Sequence, residues 1–450
     1  MAKIITRFAP SPTGYLHIGS VRSALFSYLY AKKNGGKYFL RIEDTDKTRS
    51  KIEYEKDIIA GFQTLGLNWD NETLYRQSDH IAVYSALIKK LIAEDKAYVS
   101  KEEPKEEGER SEVIRLRNPN KKVTFTDLVH GEVSVDTTDL GDFVIAKSVD
   151  EPIFHFANVV DDHEMGITHV IRGEEHLSNT PRQILIQEAL GYDKLAYAHI
   201  PLVLASDRSK LSKRQGSVSL REFLDKGYLS EALLNYLALL GWHPSHDKEI
   251  FTMPELISAF ELERVQKRGA IWNFEKLDWV NKEHLKMNRE TAENKIQEVL
   301  FKTLNLNPGT VDKNVLDAVV NIVFERINKF SDINELVLNN EVQYFFEEPK
   351  WQKDGFLWKG QGAFHEIADK LSAVEKLLGA MEGNYSKETI KETIWPYAEK
   401  EGRGFVLWPF RYALSGLAKS PDPFVIAEIL KKETTVTRLK SAINFLTNES

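Results

Sequence analysis

The sequence predicts an α/β fold, a parallel sheet with crossover helices, followed by an all-helical region. Through the first half, short strand-like runs alternate with helical patterns, the layout of a parallel sheet. After about residue 228 the pattern turns helical and stays so. Length adds a third constraint, because 450 residues are too many for one ordinary domain and enough for about three.

The first strand candidate, Ile4–Phe8, leads into the stretch Arg7-Phe-Ala-Pro-Ser-Pro-Thr-Gly-Tyr-Leu-His-Ile-Gly19. A helical pattern over Gly19–Lys33 follows and closes at Gly35-Gly36. His17 and Gly19 therefore stand at a strand-to-helix turn, where backbone N–H groups and the helix dipole favour a phosphate. Tyr38–Ile42 is the next strand, and helices are expected at Ile52–Leu65 and His80–Ala93. Residues 99–140, opening with the charged run Lys101–Glu112, break the alternation and read as an insertion between two halves of the sheet. Strands resume at Asp142–Lys147, Thr168–Arg172 and Ala198–Leu204, with a helix announced by the capping cluster Ser178-Asn179-Thr180 before Pro181. Thr252-Met-Pro-Glu255 is a capping box. Amphipathic helices are expected near Val311–Asn328, Ala363–Leu378, Glu388–Glu401 and Pro423–Thr447, with Asn307-Pro308-Gly309 as a boundary. The division expected is 1–98 with 141–205, the insertion 99–140, a connecting region 206–305 and a helical domain 306–450.

A hydrophobic share of 42% with 28% charged residues excludes a disordered chain. No apolar run approaches the roughly 20 residues of a membrane span, and no secretory signal is evident, so a cytoplasmic protein without a membrane partner is expected. The absence of cysteine excludes disulfides and cysteine-held zinc. A net charge of −7 speaks against indiscriminate polyanion binding. Locally, however, residues 1–50 carry nine Lys and Arg against three Asp and Glu, which leaves room for a phosphate-rich ligand.

The second informative stretch is Lys210-Leu-Ser-Lys-Arg214, in a polar segment after an apolar strand. A loop there could swing the ammonium groups of Lys210 and Lys213 onto a pyrophosphate and then withdraw them. Displacement at a nucleotide phosphorus needs positioning and charge stabilisation more than covalent catalysis, so no nucleophilic side chain is nominated.

Together, the two stretches resemble the paired nucleotide motifs of class I aminoacyl-tRNA synthetases, in the form used by bacterial-type glutamyl-tRNA synthetases. The resemblance extends through Arg41-Ile-Glu-Asp-Thr-Asp46, Phe156–Asp162, Ile171–His176 with Asn179–Arg182, Leu240-Gly-Trp242 and Glu275–Trp279, over most of the first 285 residues. It is looser beyond, chiefly Trp408–Gly416. It implies a class I Rossmann-like catalytic domain with an inserted connective segment, followed by an all-α anticodon-binding region. It also implies ATP, magnesium, L-glutamate and tRNA(Glu) as reactants and partners, in a monomer. A form that also charges tRNA(Gln), and a paralogue that attaches glutamate to a modified tRNA base, are the alternatives.

By the same resemblance, glutamate is held by Arg7, Ser11, Glu43, Phe154, Asn158 and Arg172. ATP meets Gly14, His17, Gly19, Glu175, Lys210, Ser212 and Lys213, with His17, Lys210 and Lys213 carrying transition-state charge. The cast suits the chemistry, since glutamate offers two carboxylates to arginine forks and one ammonium to a carboxylate. Arg172 would choose glutamate over glutamine, the other reading of this residue being an ion pair with Glu174 or Glu175. Three departures stand out. Phe154 replaces the family's usual tyrosine, Ser20 replaces the second histidine of the general motif, and 99–140 is short and lacks metal-binding cysteines, so no zinc is expected. In the C-terminal third, Arg403, Trp408 and Arg411 are candidate nucleic-acid contacts or simply core and surface.

Overall fold

Ile5–Phe8 forms strand β1, and the computed structural model, which describes residues 3–102, 112–209, 211 and 218–448, continues with helix α1 (Ile18–Lys33) and strand β2 (Lys37–Ile42). β1 and β2 are parallel, with Arg7 beside Phe39. The crossover closes at Gly36, where any Cβ would lie 2.1 Å from the Ile4 carbonyl oxygen, so only glycine fits. α2 (Ile52–Thr64) leads to β3 (Tyr75–Arg76), parallel to β2, and α3 (Ile81–Ala93) follows.

Next come β4 (Ala97–Lys101), β5 (Glu112–Leu116), β6 (Lys122–Asp127), β7 (Gly131–Asp136), β8 (Phe143–Ser148) and β9 (Glu151–Pro152). Here one sequence expectation fails. Asp142–Lys147 is expected in the parallel sheet, but β8 lies antiparallel to β5 in a sheet ordered β4-β5-β8-β9. A parallel neighbour requires a crossover of a dozen or more residues, usually a helix, and no α-helix separates β5 from β8. β6 forms a hairpin with β7 and also pairs parallel to the later strand at Ala196–Ile200 through Asp127 and Tyr197. The 99–140 segment is thus woven into the sheet.

α4 (Phe154–Glu164), β10 (His169–Gly173), α5 (Thr180–Leu190), β11 (Ala196–Ile200) and β12 (Val203–Leu204) follow, with β10 parallel to β11. The expected strand Ala198–Leu204 is two strands, interrupted at Pro201, which has no N–H for a ladder. The expected cap of α5 is also absent. A 3₁₀ stretch, Glu174–Asn179, runs straight into the helix, so Asn179 is itself helical (φ −82°, ψ −27°) and its side chain caps nothing.

β1 and β10 are stitched together at one point. The Thr168 N–H donates to the Ile5 carbonyl at 2.9 Å, and the Ile5 N–H donates to the Thr168 hydroxyl at 2.9 Å. The carboxyl ends of β1 and β10 therefore open side by side, the place where open α/β sheets bind ligands. α6 (Leu220–Asp225), α7 (Ser230–Leu239), α8 (Met253–Ala259), β13 (Ala270–Ile271) and α9 (Phe274–Met287) complete this part. The capping-box half at α8 is present, Glu255 accepting from the Thr252 N–H at 2.9 Å. Buried Val21, Leu25 and Phe26 of α1 share one core with Phe223, Leu233, Trp242 and Phe260.

The chain divides into two compact units, Met1–His284 and Leu285–Ser450. The second contains α10 (Arg289–Leu304), α11 (Lys313–Arg326), α12 (Asp332–Leu338), α13 (Phe364–Gly379), α14 (Lys387–Glu401), α15 (Arg403–Ser415) and α16 (Pro423–Thr447). Asn307-Pro308-Gly309 joins α10 to α11 inside this unit. α16 is not continuous as the pattern suggested, because Lys431 takes a left-handed φ of 66° and splits it. Nothing in the local sequence marks that break. No described helix is long and apolar enough to cross a membrane.

Candidate active site

A cavity of about 260 Å³ opens at the carboxyl ends of β1 and β10. All six residues expected to meet the amino acid, Arg7, Ser11, Glu43, Phe154, Asn158 and Arg172, line it. Arg7 comes from β1, Ser11 and Glu43 from the loops after β1 and β2, Phe154 and Asn158 from α4, and Arg172 from β10.

Their charges are organised unequally. Arg7 lies side-on to Asp162, Nε 3.0 Å from Oδ1 and Nη2 3.2 Å from Oδ2, so only its other edge remains for a ligand. Buried Arg41 donates to Asp162 at 2.7 Å and to Glu43 Oε1 at 3.0 Å. Despite complete burial, the nearby Arg7 and Arg41 hold Asp162 below the usual carboxylate range. Burial outweighs Arg41 at Glu43 and pushes its carboxyl up. Glu43 Oε1 also accepts from Asn158 Nδ2 at 2.8 Å, whereas its Oε2 is left for a cation. Asn158 Oδ1 accepts from Gln183 Nε2 at 3.2 Å, so the Asn158 amide is engaged at both ends and braces Glu43.

Arg172 stands apart. Among the described residues it has no carboxylate within ion-pair distance; it donates instead to the neutral groups His199 Nε2 (3.2 Å), Thr180 Oγ1 (2.7 Å) and Gln183 Oε1 (2.7 Å). The expected alternative of a Glu174 or Glu175 pair is not what the structure contains. Burial first, then the like charge of Arg7, pushes the Arg172 guanidinium down to about 10. A buried cation facing a cavity without its own anion is an anion site.

A second cavity of about 200 Å³ shares Gly19, Ser20, Ser23, Gly173 and Glu175 with the first and adds His17, Arg22 and Leu211. His17 is the N-cap of α1, and its Nδ1 accepts from the Gly19 N–H at 3.0 Å. With the ring neutral, that bond places its proton on Nε2. Gly19 sits close under the ring, since a Cβ there would be 3.2 Å from Nδ1. The Glu175 carboxylate covers Gly173 so closely that a Cβ would meet it at 2.1 Å. Gly14 is exposed and lines neither cavity. Lys210, Ser212 and Lys213 lie outside the described residues; Leu211, between them, is buried and lines the second cavity. Among the described residues no group of three His, Asp or Glu gathers for a metal ion. Glu175 is a carboxylate lining this cavity.

Sequence reasoning missed Arg22, Gln183, His176 and His199. Arg22 is fully buried beside the second cavity and donates to the Leu240 and Pro201 carbonyls at 2.7 and 2.6 Å. His176 belongs to the quoted motif Ile171–His176, but nothing in that motif gave it a role. In the second unit, Trp408 Nε1 donates to the Gly355 carbonyl (2.9 Å) and Arg411 to the Ala418 carbonyl (2.7 Å), so both are tied into the domain itself. Arg403 pairs with Glu399.

Residues 3–110 and 100–279 match the family described as tRNA synthetases class I (E and Q), catalytic domain, and residues 295–443 match an anticodon binding domain. The chain is 39% identical to glutamate–tRNA ligase 2 of Thermoanaerobacter pseudethanolicus, over 99% of each protein. It is 39% identical to a glutamate–tRNA ligase of Thermodesulfovibrio yellowstonii, over 97% of this chain and 99% of that one. Its fold is similar to the crystal structure of a glutamate tRNA ligase from Elizabethkingia meningosepticum in complex with its amino acid. That likeness has a TM-score of 0.87 at 32% identity, over 99% of this chain and 100% of the other.

Proposed function

The chain belongs to the class I tRNA synthetases of the E and Q group, and we propose that it attaches L-glutamate to tRNA(Glu) at the expense of ATP. The observation that carries the choice of amino acid is Arg172, a buried cation without an ion-pair partner among the described residues, in the same cavity as the braced carboxylate Glu43. In this reading the glutamate ammonium meets Glu43 Oε2 and the Ser11 hydroxyl. Its side-chain carboxylate meets Arg172, and its other carboxylate meets the open edge of Arg7. Asn158 acts by holding Glu43, and Phe154 packs on the ligand.

ATP occupies the second cavity, with its phosphates toward the positive end of α1 and the His17 ring. Magnesium, when bound with the nucleotide, neutralises phosphate charge. An oxygen of the glutamate α-carboxylate attacks the α-phosphorus, the bond to pyrophosphate breaks, and glutamyl-adenylate forms. His17 donates to the developing charge, and Lys210 and Lys213 are assigned to the leaving pyrophosphate. The terminal 2′-hydroxyl of tRNA then attacks the acyl carbon, giving the ester and AMP. The helical second unit is assigned to the anticodon.

The test is charging of separately purified tRNA(Glu) and tRNA(Gln) with labelled glutamate and ATP. Ester on tRNA(Glu) alone is the expected result. Ester on both makes the enzyme non-discriminating. Exchange of pyrophosphate without any ester would move the acceptor elsewhere and overturn the reading.

A further inference from the structure

Two arginines enter the amino-acid cavity, and they are held in opposite ways. Arg7 is held by a carboxylate, Asp162. Arg172 is held by three neutral acceptors, and the anion stands one ring further back. His199, on β11, accepts from Arg172 Nε with its Nε2 at 3.2 Å, and its Nδ1 lies 2.7 Å from Asp127 Oδ2. Both His199 and Asp127 are buried, at 0% and 1% exposure.

The tautomer follows from the partners. Asp127 takes every contact as an acceptor: its Oδ2 from the His199 N–H at 3.0 Å, its Oδ1 from the Val129 and His130 N–H groups at 2.9 and 2.8 Å. Burial opposes its charge, yet the His199 and His130 hydrogen bonds hold its carboxyl below the usual range. An ionised Asp127 requires the His199 proton on Nδ1, which leaves a lone pair on Nε2. That lone pair faces Arg172 Nε and the Thr180 hydroxyl, 3.0 Å away. Thr180 Oγ1 accepts from Arg172 Nη2, and its own proton can go to His199 Nε2 at 3.0 Å or to the His176 carbonyl at 3.4 Å.

We infer that Asp127, acting through the Nδ1–H tautomer of His199, is a specificity-positioning residue that aims Arg172 at the substrate carboxylate. The arrangement has a physical purpose. A carboxylate placed directly on Arg172 would neutralise it and compete with the substrate. A neutral imidazole holds and polarises the guanidinium, while Asp127 supports the charge without occupying its open edge. Asp127 ends β6, so the segment 99–140 is linked to Arg172 through His199.

The inference rests on the glutamate pocket proposed above, and the experiment separates the two. Glutamate and ATP KM values and the preference for glutamate over glutamine are measured for the wild type, H199F, H199Q and D127N. H199F removes the acceptor and is expected to raise the glutamate KM about tenfold or more, the scale of one lost hydrogen bond to a charged group. The ATP KM should stay within about twofold, because the nucleotide cavity is not touched, a split that general damage would not produce. H199Q, which restores an acceptor, should recover part of the loss. In D127N one amide hydrogen-bonding pair must oppose N–H donors in either flip, so it should move the glutamate KM in the same direction, and by less when combined with H199Q. Should the variants fail to fold, ¹⁵N spectra of the histidine-labelled wild type decide, with His199 expected protonated at Nδ1. An Nε2–H tautomer, or H199F with wild-type glutamate KM and selectivity, overturns the relay. A wild type that charges no tRNA with glutamate overturns the pocket reading itself.

Discussion

The Arg7 guanidinium lies side-on against the Asp162 carboxylate, with Nε 3.0 Å from Oδ1 and Nη2 3.2 Å from Oδ2. Arg41 approaches the same Oδ1 at 2.7 Å. One buried carboxylate thus serves two buried cations, and Asp162→Asn should leave both under-compensated. We expect a loss of about 3–5 kcal/mol, the scale for removing one partner of a buried pair. Urea unfolding of the variant checks it, and an unmoved midpoint would exclude the pairing as a stabilising element.

Arg172 has the opposite status, held by neutral groups and open to the cavity. Arg172→Gln should lower kcat/KM for glutamate and narrow the gap to glutamine, by about tenfold or more for loss of a charged hydrogen bond. Competition of the two labelled amino acids for tRNA measures this. An unchanged ratio would remove Arg172 from amino-acid choice.

Phe154 lines the amino-acid cavity with a ring that has no hydroxyl, 5.8 Å from the His176 ring. Phe154→Tyr should lower the glutamate KM by about fivefold, one net hydrogen bond of about 1 kcal/mol. A higher KM would show that the added oxygen has no partner there.

Lys213→Ala should slow adenylate formation by about two to four orders of magnitude while glutamate binding changes little. Pyrophosphate exchange in the presence of tRNA reads the first and calorimetry the second. Normal exchange would take the lysine out of the mechanism.

Burial, reinforced by Arg172 and Arg7, pushes the His176 imidazole down to about 4. In the unfolded chain the ring takes its proton near 6.5. Between those values the unfolded state holds the extra proton, so stability falls as pH drops from about 6.5 to about 4. His176→Asn should therefore remove about one proton from the uptake on unfolding near pH 5 and flatten that slope. A stability profile against pH with an unchanged slope would contradict the assignment.

Much of the catalytic half was legible because its signals are local. Gly36 stands three residues beyond the end of α1, where a turn is expected, and His17 caps α1 through a nitrogen two residues from its partner. The six residues that line one cavity were named for another reason: their types, in order, resemble those of glutamyl-tRNA synthetases. What eluded sequence reading was direction and partnership. A short apolar run such as Phe143–Ser148 is the same run in a parallel or an antiparallel sheet, and only the intervening connection decides. The left-handed Lys431 has no local signal at all.

By itself, then, the sequence nominated side chains for an amino acid and a nucleotide and determined most of the strands and helices that carry them, since periodicity, turn chemistry and motif act over a few residues. Only the tertiary structure decided which of two similar arginines is paired with a carboxylate and which is held by neutral groups. Asp162 lies 155 positions from Arg7, and Asp127 lies 72 from His199. Electrostatic partnership depends on distance in space, and separations of that kind in the chain leave no periodic trace.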